Sequence, residues 1–351
     1  GDVMGLFILK RLGVMILTAL CLTFVVFWLT NLDPNLEKLA KTQGNSRMSD
    51  EAVVTYLENR GYSQALPIKY GEWIGLLPGY VITGSDGEVR ARCATRGSSV
   101  EDAPKFCGVL QGEWGFSTRF KEDVSQIISI RLGHTAKLMG FVMLVMVPGA
   151  LIIGVLAGMN EGSRTDRTLS TFSIITTATP EYVSGVVLIA LFGTATFGMQ
   201  WFKGNANSAL DDATFQNFFL PVITIALYGM GYIARMTRAS MTEVMTAQYI
   251  RTARLKGVAF RTIVMKHALR NALIAPFTVI MLQFPWLLNG VVIVESLFSY
   301  KGFGWTLVEA ASTNDIELLL GVSVVSVVVV LVTQLISDIG YVFLNPRIRI
   351  A

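Results

Sequence analysis

Charge is scarce in this chain, and so are the residue types that most often do chemistry. Only 15% of the 351 residues are Asp, Glu, Lys or Arg, against 52% hydrophobic, where soluble domains usually carry about 25% charged residues. This deficit, a mean hydropathy of +0.53 and apolar runs of bilayer length exclude an ordinary soluble domain. Two histidines, His134 and His267, are too few for a histidine-based hydrolase or zinc protease. There is no G-x-x-x-x-G-K-[ST] loop, so the chain holds no nucleotide by that motif. H-E-x-x-H and paired-cysteine zinc patterns are missing too. An intramembrane aspartyl protease needs two facing carboxylates, and Asp338 stands alone, best read as a polar residue near a helix end. The expectation is no catalytic residue, no metal site and no cofactor in this chain.

What is present is a series of six apolar runs, near 12–32, 133–158, 169–197, 218–233, 276–294 and 318–343. Each is about the 20 residues that a membrane helix needs, the fourth continuing helically past Arg238. The alternation of barrel strands is absent, so the fold class expected is an all-α polytopic membrane protein. Pro148 and Pro180 predict local kinks. Lys10 and Arg11 precede a first run too long for a signal-peptide core, which predicts an uncleaved first span. Met4 is a reasonable natural start, with the residues before it an expression scar.

Short loops divide sharply by charge, and basic loops stay cytoplasmic. Arg164 and Arg167 follow span two, eight basic residues against Glu243 separate spans four and five, and Arg347 and Arg349 close the chain. The 199–217 and 299–317 stretches each carry one lysine outnumbered by acids. Both termini are therefore expected in the cytoplasm. The long link 33–132 then lies outside. Ser49 is a plausible N-cap there, and Gly84–Gly87 a turn between short strands. Cys93 and Cys107 fall in this outer segment. A bridge between them in an oxidising compartment closes a loop of about 15 residues, worth about 3 kcal/mol in the chain-entropy model; two free thiols is the alternative. Cys21 reads as a packing residue of span one.

The most unusual stretch is 249–276, YIRTARLKGVAFRTIVMKHALRNALIAP. It holds six basic side chains and no acid, divided by Gly257. Three readings compete: charges that merely hold the loop inside, a basic helix on the membrane surface, or an element docking on a soluble partner. Met245, Tyr249 and Ala253 form a small mixed face, poor for lipid and suited to a protein groove. Arg251 and Arg254 point elsewhere and can meet carboxylates. Gly257 ends or bends this helix. Phe260, Val264, His267, Asn271 and Ile274 restart a stripe leading to Pro276.

These residues resemble a known pattern. Tyr249, Ile250, Arg251, Thr252, Ala253, Arg254, Leu255, Lys256 and Gly257, then Lys266, His267, Ala268, Leu269, Arg270, Asn271 and Ala272, are similar to the cytoplasmic coupling loop of ABC importer permeases. The peptide and nickel subgroup is the nearest. Leu255 stands for a usual Ala and Lys266 for a common Arg. GEWGFSTRF, RMTRASMTEVM, GSRTDRTLS with Pro180 and Gly185, VESLFSYKGFGWTLVEA and SDIGYVFLNPRIR extend the resemblance over most of the chain. Ala178 replaces the family's Ser. Residues 79–111 depart from the pattern and read as an insertion, which keeps substrate identity open.

The resemblance implies six transmembrane helices of the type I ABC importer kind in a bacterial inner membrane, with an enlarged extracytoplasmic segment between the first two. It divides the chain into 1–32 (cytoplasmic N-terminus and first helix), 33–132 (extracytoplasmic domain) and 133–351 (permease core, with the coupling loop at 235–275). It implies a permease subunit forming half of an alternating-access pathway for peptides or similarly sized solutes. Oligosaccharides or opines are the alternative cargo, and a stand-alone channel or secondary transporter the alternative class. Partners implied are a second homologous permease, two ATPase subunits carrying ATP and Mg, a binding protein and membrane lipid, with no nucleic acid. Tyr249, Arg251, Thr252, Ala253, Arg254, Lys256 and Gly257 would couple to the ATPase. Gln283, Asn289 and Glu295, polar groups in or bordering span five, line the pathway or hydrogen-bond between helices. Trp114, Phe116 and the 93–107 loop are offered as contacts for the binding protein.

Overall fold

The computed structural model describes residues 1–94, 98–211 and 213–344; Arg347 and Arg349 fall outside them. In chain order α1 (Asp2–Thr30), α2 (Asp33–Gln43), α3 (Asp50–Glu58) and α4 (Leu66–Ile74) precede a hairpin of β1 (Val81–Thr83) and β2 (Val89–Ala91). Then come α5 (Val124–Met159), α6 (Arg164–Ala178), α7 (Glu181–Leu188), α8 (Phe215–Met245) and α9 (Gln248–Leu255). α10 (Phe260–Thr262), a π-helical stretch Ile263–Ala268 and α11 (Leu269–Ala272) lead into α12 (Ile274–Leu297), α13 (Phe303–Ser312) and α14 (Ile316–Leu344). Among the described residues five helices, α1, α5, α8, α12 and α14, are long and apolar enough to cross a membrane, and α6 with Glu181–Gly193 makes a sixth span if that bent pair counts as one. The chain is a mostly helical, multi-pass membrane protein.

The third span differs from its expected form. A single kinked helix over 169–197 is replaced by two helices meeting at 107°. Pro180 is the cause. Thr179 sits at φ −94°, ψ 120°, the extended region into which a following proline drives its predecessor. The second helix ends in a π-helical turn at Ile189–Gly193, short of the expected end. Pro148, by contrast, is absorbed within α5. α8 continues past Arg238 as one helix to Met245.

The chain divides into two compact units. One comprises 1–11, 132–305 and 330–351. α8 is its axis, with buried residues along its length from Asn217 to Met241. Leu138, Val142 and Met146 of α5 and Val291 and Val294 of α12 share its core. Lipid is as apolar as leucine, so close contact rather than escape from water holds membrane helices together. Gly154 and Gly158, four apart on α5, meet Thr237 and Met241 of α8 so closely that a Cβ at either position would overlap them. Asp338 pairs with Arg11 at 3.3 Å.

The other unit comprises 12–131 and 306–329. Phe27, Trp73, Ile74, Leu320 and Val324 form its core, and the Thr23 and Tyr70 hydroxyls lie 2.7 Å apart. Ser49 caps α3, its hydroxyl accepting from the Ala52 N–H at 3.3 Å. In the hairpin Val81 pairs with Ala91, and the Gly87 N–H donates to the Gly84 carbonyl at 3.0 Å. The Arg90 guanidinium beside Asp86 holds that carboxyl down to about 2. A disulfide joins Cys93 and Cys107, whose Cα atoms are 5.4 Å apart. The segment after the hairpin is tied to the head of α14. Glu317 accepts from the Phe116 N–H at 2.6 Å, and Asp315 accepts from the Ser117 hydroxyl and the Arg119 N–H.

Candidate functional site

α9 is too short to persist alone in water. Its order comes from packing: Ile250 and Ala253 are buried against Met241, Ile263 and Val264. At about 100° per residue, Gln248, Arg251, Thr252 and Leu255 fall on the opposite side, and all four are exposed. Tyr249, 43% exposed, flanks this outer edge. The expected face of Met245, Tyr249 and Ala253 therefore splits: Ala253 turns inward and Tyr249 outward. Ile250 takes the buried place because it presents the larger aliphatic surface to the α8 and π-helical residues below.

The end of α9 follows from Gly257, at φ +75°. The Val258 N–H donates to the Ala253 carbonyl at 3.2 Å and the Gly257 N–H to that of Arg254 at 3.0 Å. This is a Schellman pair, which requires the left-handed conformation that glycine adopts freely. The helix stops there with Lys256 as its last capping residue.

Beyond the glycine, the buried positions are Ile263, Val264, Ala268 and Ala272. The expected stripe of Phe260, Val264, His267, Asn271 and Ile274 keeps only Val264 inside. The π-helical stretch explains the slip, because its wider turn replaces steps of three by steps of four and five. Ser240 of α8 donates its hydroxyl to the Ala272 carbonyl at 2.6 Å, fastening the segment to α8. Among the described residues, none of Arg251, Arg254, Lys256, Arg261, Lys266 and Arg270 forms an ion pair with a carboxylate. Leu255 is 80% exposed at the helix end. Where the resembled pattern carries Ala, this chain thus places a large apolar side chain on the outer edge.

A second cluster joins the head of α6 to α8. Asp166 accepts from Arg238 Nε at 2.6 Å and from its terminal nitrogen at 2.8 Å. The same carboxylate accepts from the Gly162 N–H at 2.9 Å and the Ser170 hydroxyl at 3.0 Å. Its side chain is 5% exposed and that of Arg238 32%. Counting basic residues hides this site, since Asp166 lies between Arg164 and Arg167. The signal was the N-cap Ser163 followed three residues later by an acid.

The three polar residues of α12 do not converge. Gln283 borders a cavity of about 330 Å³ with Thr177, Tyr228, Tyr232 and Trp286, and its Oε1 is buried with no hydrogen-bond partner among the described residues. Asn289 borders another hollow with Trp286, Gln334 and Asp338. Glu295 is fully buried. It accepts from the Thr135 hydroxyl at 2.6 Å and the Trp305 N–H at 3.1 Å, while Thr135 accepts from the Phe303 N–H at 2.8 Å. Its carboxylate fastens the turn before α13 to α5.

The family described as "Binding-protein-dependent transport system inner membrane component" matches residues 150–350. A probable peptide ABC transporter permease protein of Sinorhizobium fredii is 29% identical over 99% of this chain and 100% of its own length. The oligopeptide transport system permease protein AppB of Bacillus subtilis is 32% identical, over 69% of this chain and 77% of its own. The dipeptide transport system permease protein DppB of Haemophilus influenzae is 31% identical, over 69% and 78%. The family match covers α6 to α14 and with them the whole basic segment, so the chain belongs to the binding-protein-dependent transport system inner membrane components and is a permease subunit of an ABC importer.

Proposed function

We propose that the chain forms half of the translocation pathway of an ATP-driven peptide importer. A second homologous permease supplies the other half, two cytoplasmic ATPase subunits bind ATP and Mg, and a soluble binding protein delivers the peptide. The observation that carries this reading is the outer edge of α9. A short helix is held from within by Ile250 and Ala253, is stopped by Gly257, and presents Arg251, Thr252, Leu255 and flanking charges that no carboxylate among the described residues engages. Such an edge suits a groove with acidic walls and an apolar floor. The basic loops and Lys10 and Arg11 support a cytoplasmic position for α9 and both termini.

In this reading α9 is the lever. ATP-driven closure of the ATPase pair shifts it, and the packed segment 260–276 passes the shift to α12, a rigid-body change driven by differential binding. Gln283 and the tyrosines beside it supply polar groups at membrane depth, where such groups face a cavity or a neighbouring helix. Peptide is the cargo favoured, because relatives covering 69% to 99% of this chain carry the names of peptide, oligopeptide and dipeptide permeases. The test is uptake of labelled peptides by vesicles holding both permeases and the ATPases, with binding protein added. Uptake is expected to require ATP, the ATPases and the binding protein together. Peptide flux through this chain with no ATPase present would overturn the proposal.

A further inference from the structure

We propose that a groove between α5 and the first turns of α8 is a site for one anionic glycerophospholipid, with its phosphate on Lys137 and an acyl chain between phenylalanine walls. The groove encloses about 420 Å³ and is lined by Phe141, Leu144 and Val145 of α5 and by Phe215, Phe219 and Val222 of α8, among others. Leu144 is 71% and Phe215 70% exposed, while Val222 at its floor is 5% exposed. From Phe215 to Ile223 it descends about 12 Å along α8, less than half of a hydrocarbon core of about 30 Å. It therefore belongs to one leaflet.

Lys137 identifies the occupant. It is the one charged residue of 133–158. Its Nζ lies 5.5 Å from the ring centroid of Phe218, and that ring is 5.2 Å from Phe141 on the groove wall. Among the described residues it forms no ion pair with a carboxylate. A cation at the membrane boundary that the described residues leave without an anion takes one from its surroundings. A bilayer phospholipid carries an anion and an apolar chain in the order that Lys137 and the groove present them. A whole helix, about 10 Å across with its side chains, would rest over such a slot rather than enter it.

The test uses the assembled transporter in vesicles of equal phosphatidylglycerol and phosphatidylcholine. It is then extracted and weighed intact by native mass spectrometry. One tightly retained phosphatidylglycerol is expected, favoured about fivefold over phosphatidylcholine, the ratio set by one lysine near the surface. Lys137→Ala should remove the preference, and Val145→Trp, which fills the groove, should lower retention of both lipids. Lys137 is exposed, so the first variant is expected to assemble normally, which subunit co-purification checks. Equal retention of the two lipids, an undiminished preference in Lys137→Ala, or retention by the isolated chain but not by the assembled transporter would each overturn the proposal.

Discussion

Gly257→Val is expected to reduce ATP-driven uptake by about tenfold or more while the chain still inserts in the membrane. A Cβ at this position would meet nothing within 4 Å, so the change causes no clash. Its cost is the backbone. At φ +75° a side chain pays about 1–2 kcal/mol, and a β-branched one fits worst. That amount lowers the ratio of formed to frayed helix end about 5–30-fold. The bonds from Val258 and Gly257 to the last turn would open, and α9 would fray where the proposed lever must be stiff. Gly257→Asn separates conformation from bulk, because asparagine tolerates the left-handed region; it should keep most of the activity. Gly257→Asp tolerates the same conformation but sets a negative charge among the basic residues, and should release the ATPase. ATPase co-purification and uptake read the three variants. Normal uptake by the valine variant would show that the helix end is not used.

Arg238→Ala is expected to destabilise the chain by about 2–4 kcal/mol, because it strands a nearly buried carboxylate. Asp166 would keep the Gly162 N–H and the Ser170 hydroxyl but lose both guanidinium bonds. Asp166→Ala should cost less through charge, since Arg238 is 32% exposed and can turn to water. It still removes the anchors at the head of α6. The double variant should be much less destabilised than the sum of the two, with a coupling of about 1–3 kcal/mol. Thermal or urea unfolding of the solubilised chain measures all three. Additive losses would mean that the pair contributes little.

Much of the fold was legible because bilayer length acts over whole segments. Five of the six apolar runs matched long helices among the described residues, and Pro180 was visible as a disturbance in the other. Its size was not, since a proline can be absorbed, as Pro148 is in α5, or can break the helix, as Pro180 does once Thr179 turns extended. The stop at Gly257 could be read directly, because few residues other than glycine occupy a left-handed helix end. The face of α9 could not. Tyr249 and Ile250 are adjacent and both offer apolar surface, so only the neighbours supplied by α8 and the π-helical stretch decide which turns inward. Glu295 shows the same limit: a carboxylate in an apolar run signals a partner, and only the fold reveals Thr135 and the backbone of Trp305. Arg238 was counted with the loop charges, while its bidentate partner Asp166 lay 72 residues earlier.

The proposed contact of α9 with the ATPase is tested most directly by photo-crosslinking from its outer edge in the complete transporter. A photoreactive residue at Leu255 should join this chain to an ATPase subunit, with a yield that changes when ATP closes the pair. The same group at Phe215, on the lipid-facing groove, should not. A reaction at Leu255 with lipid alone, or an ATPase crosslink indifferent to ATP, would contradict the claim that motion enters the membrane through α9.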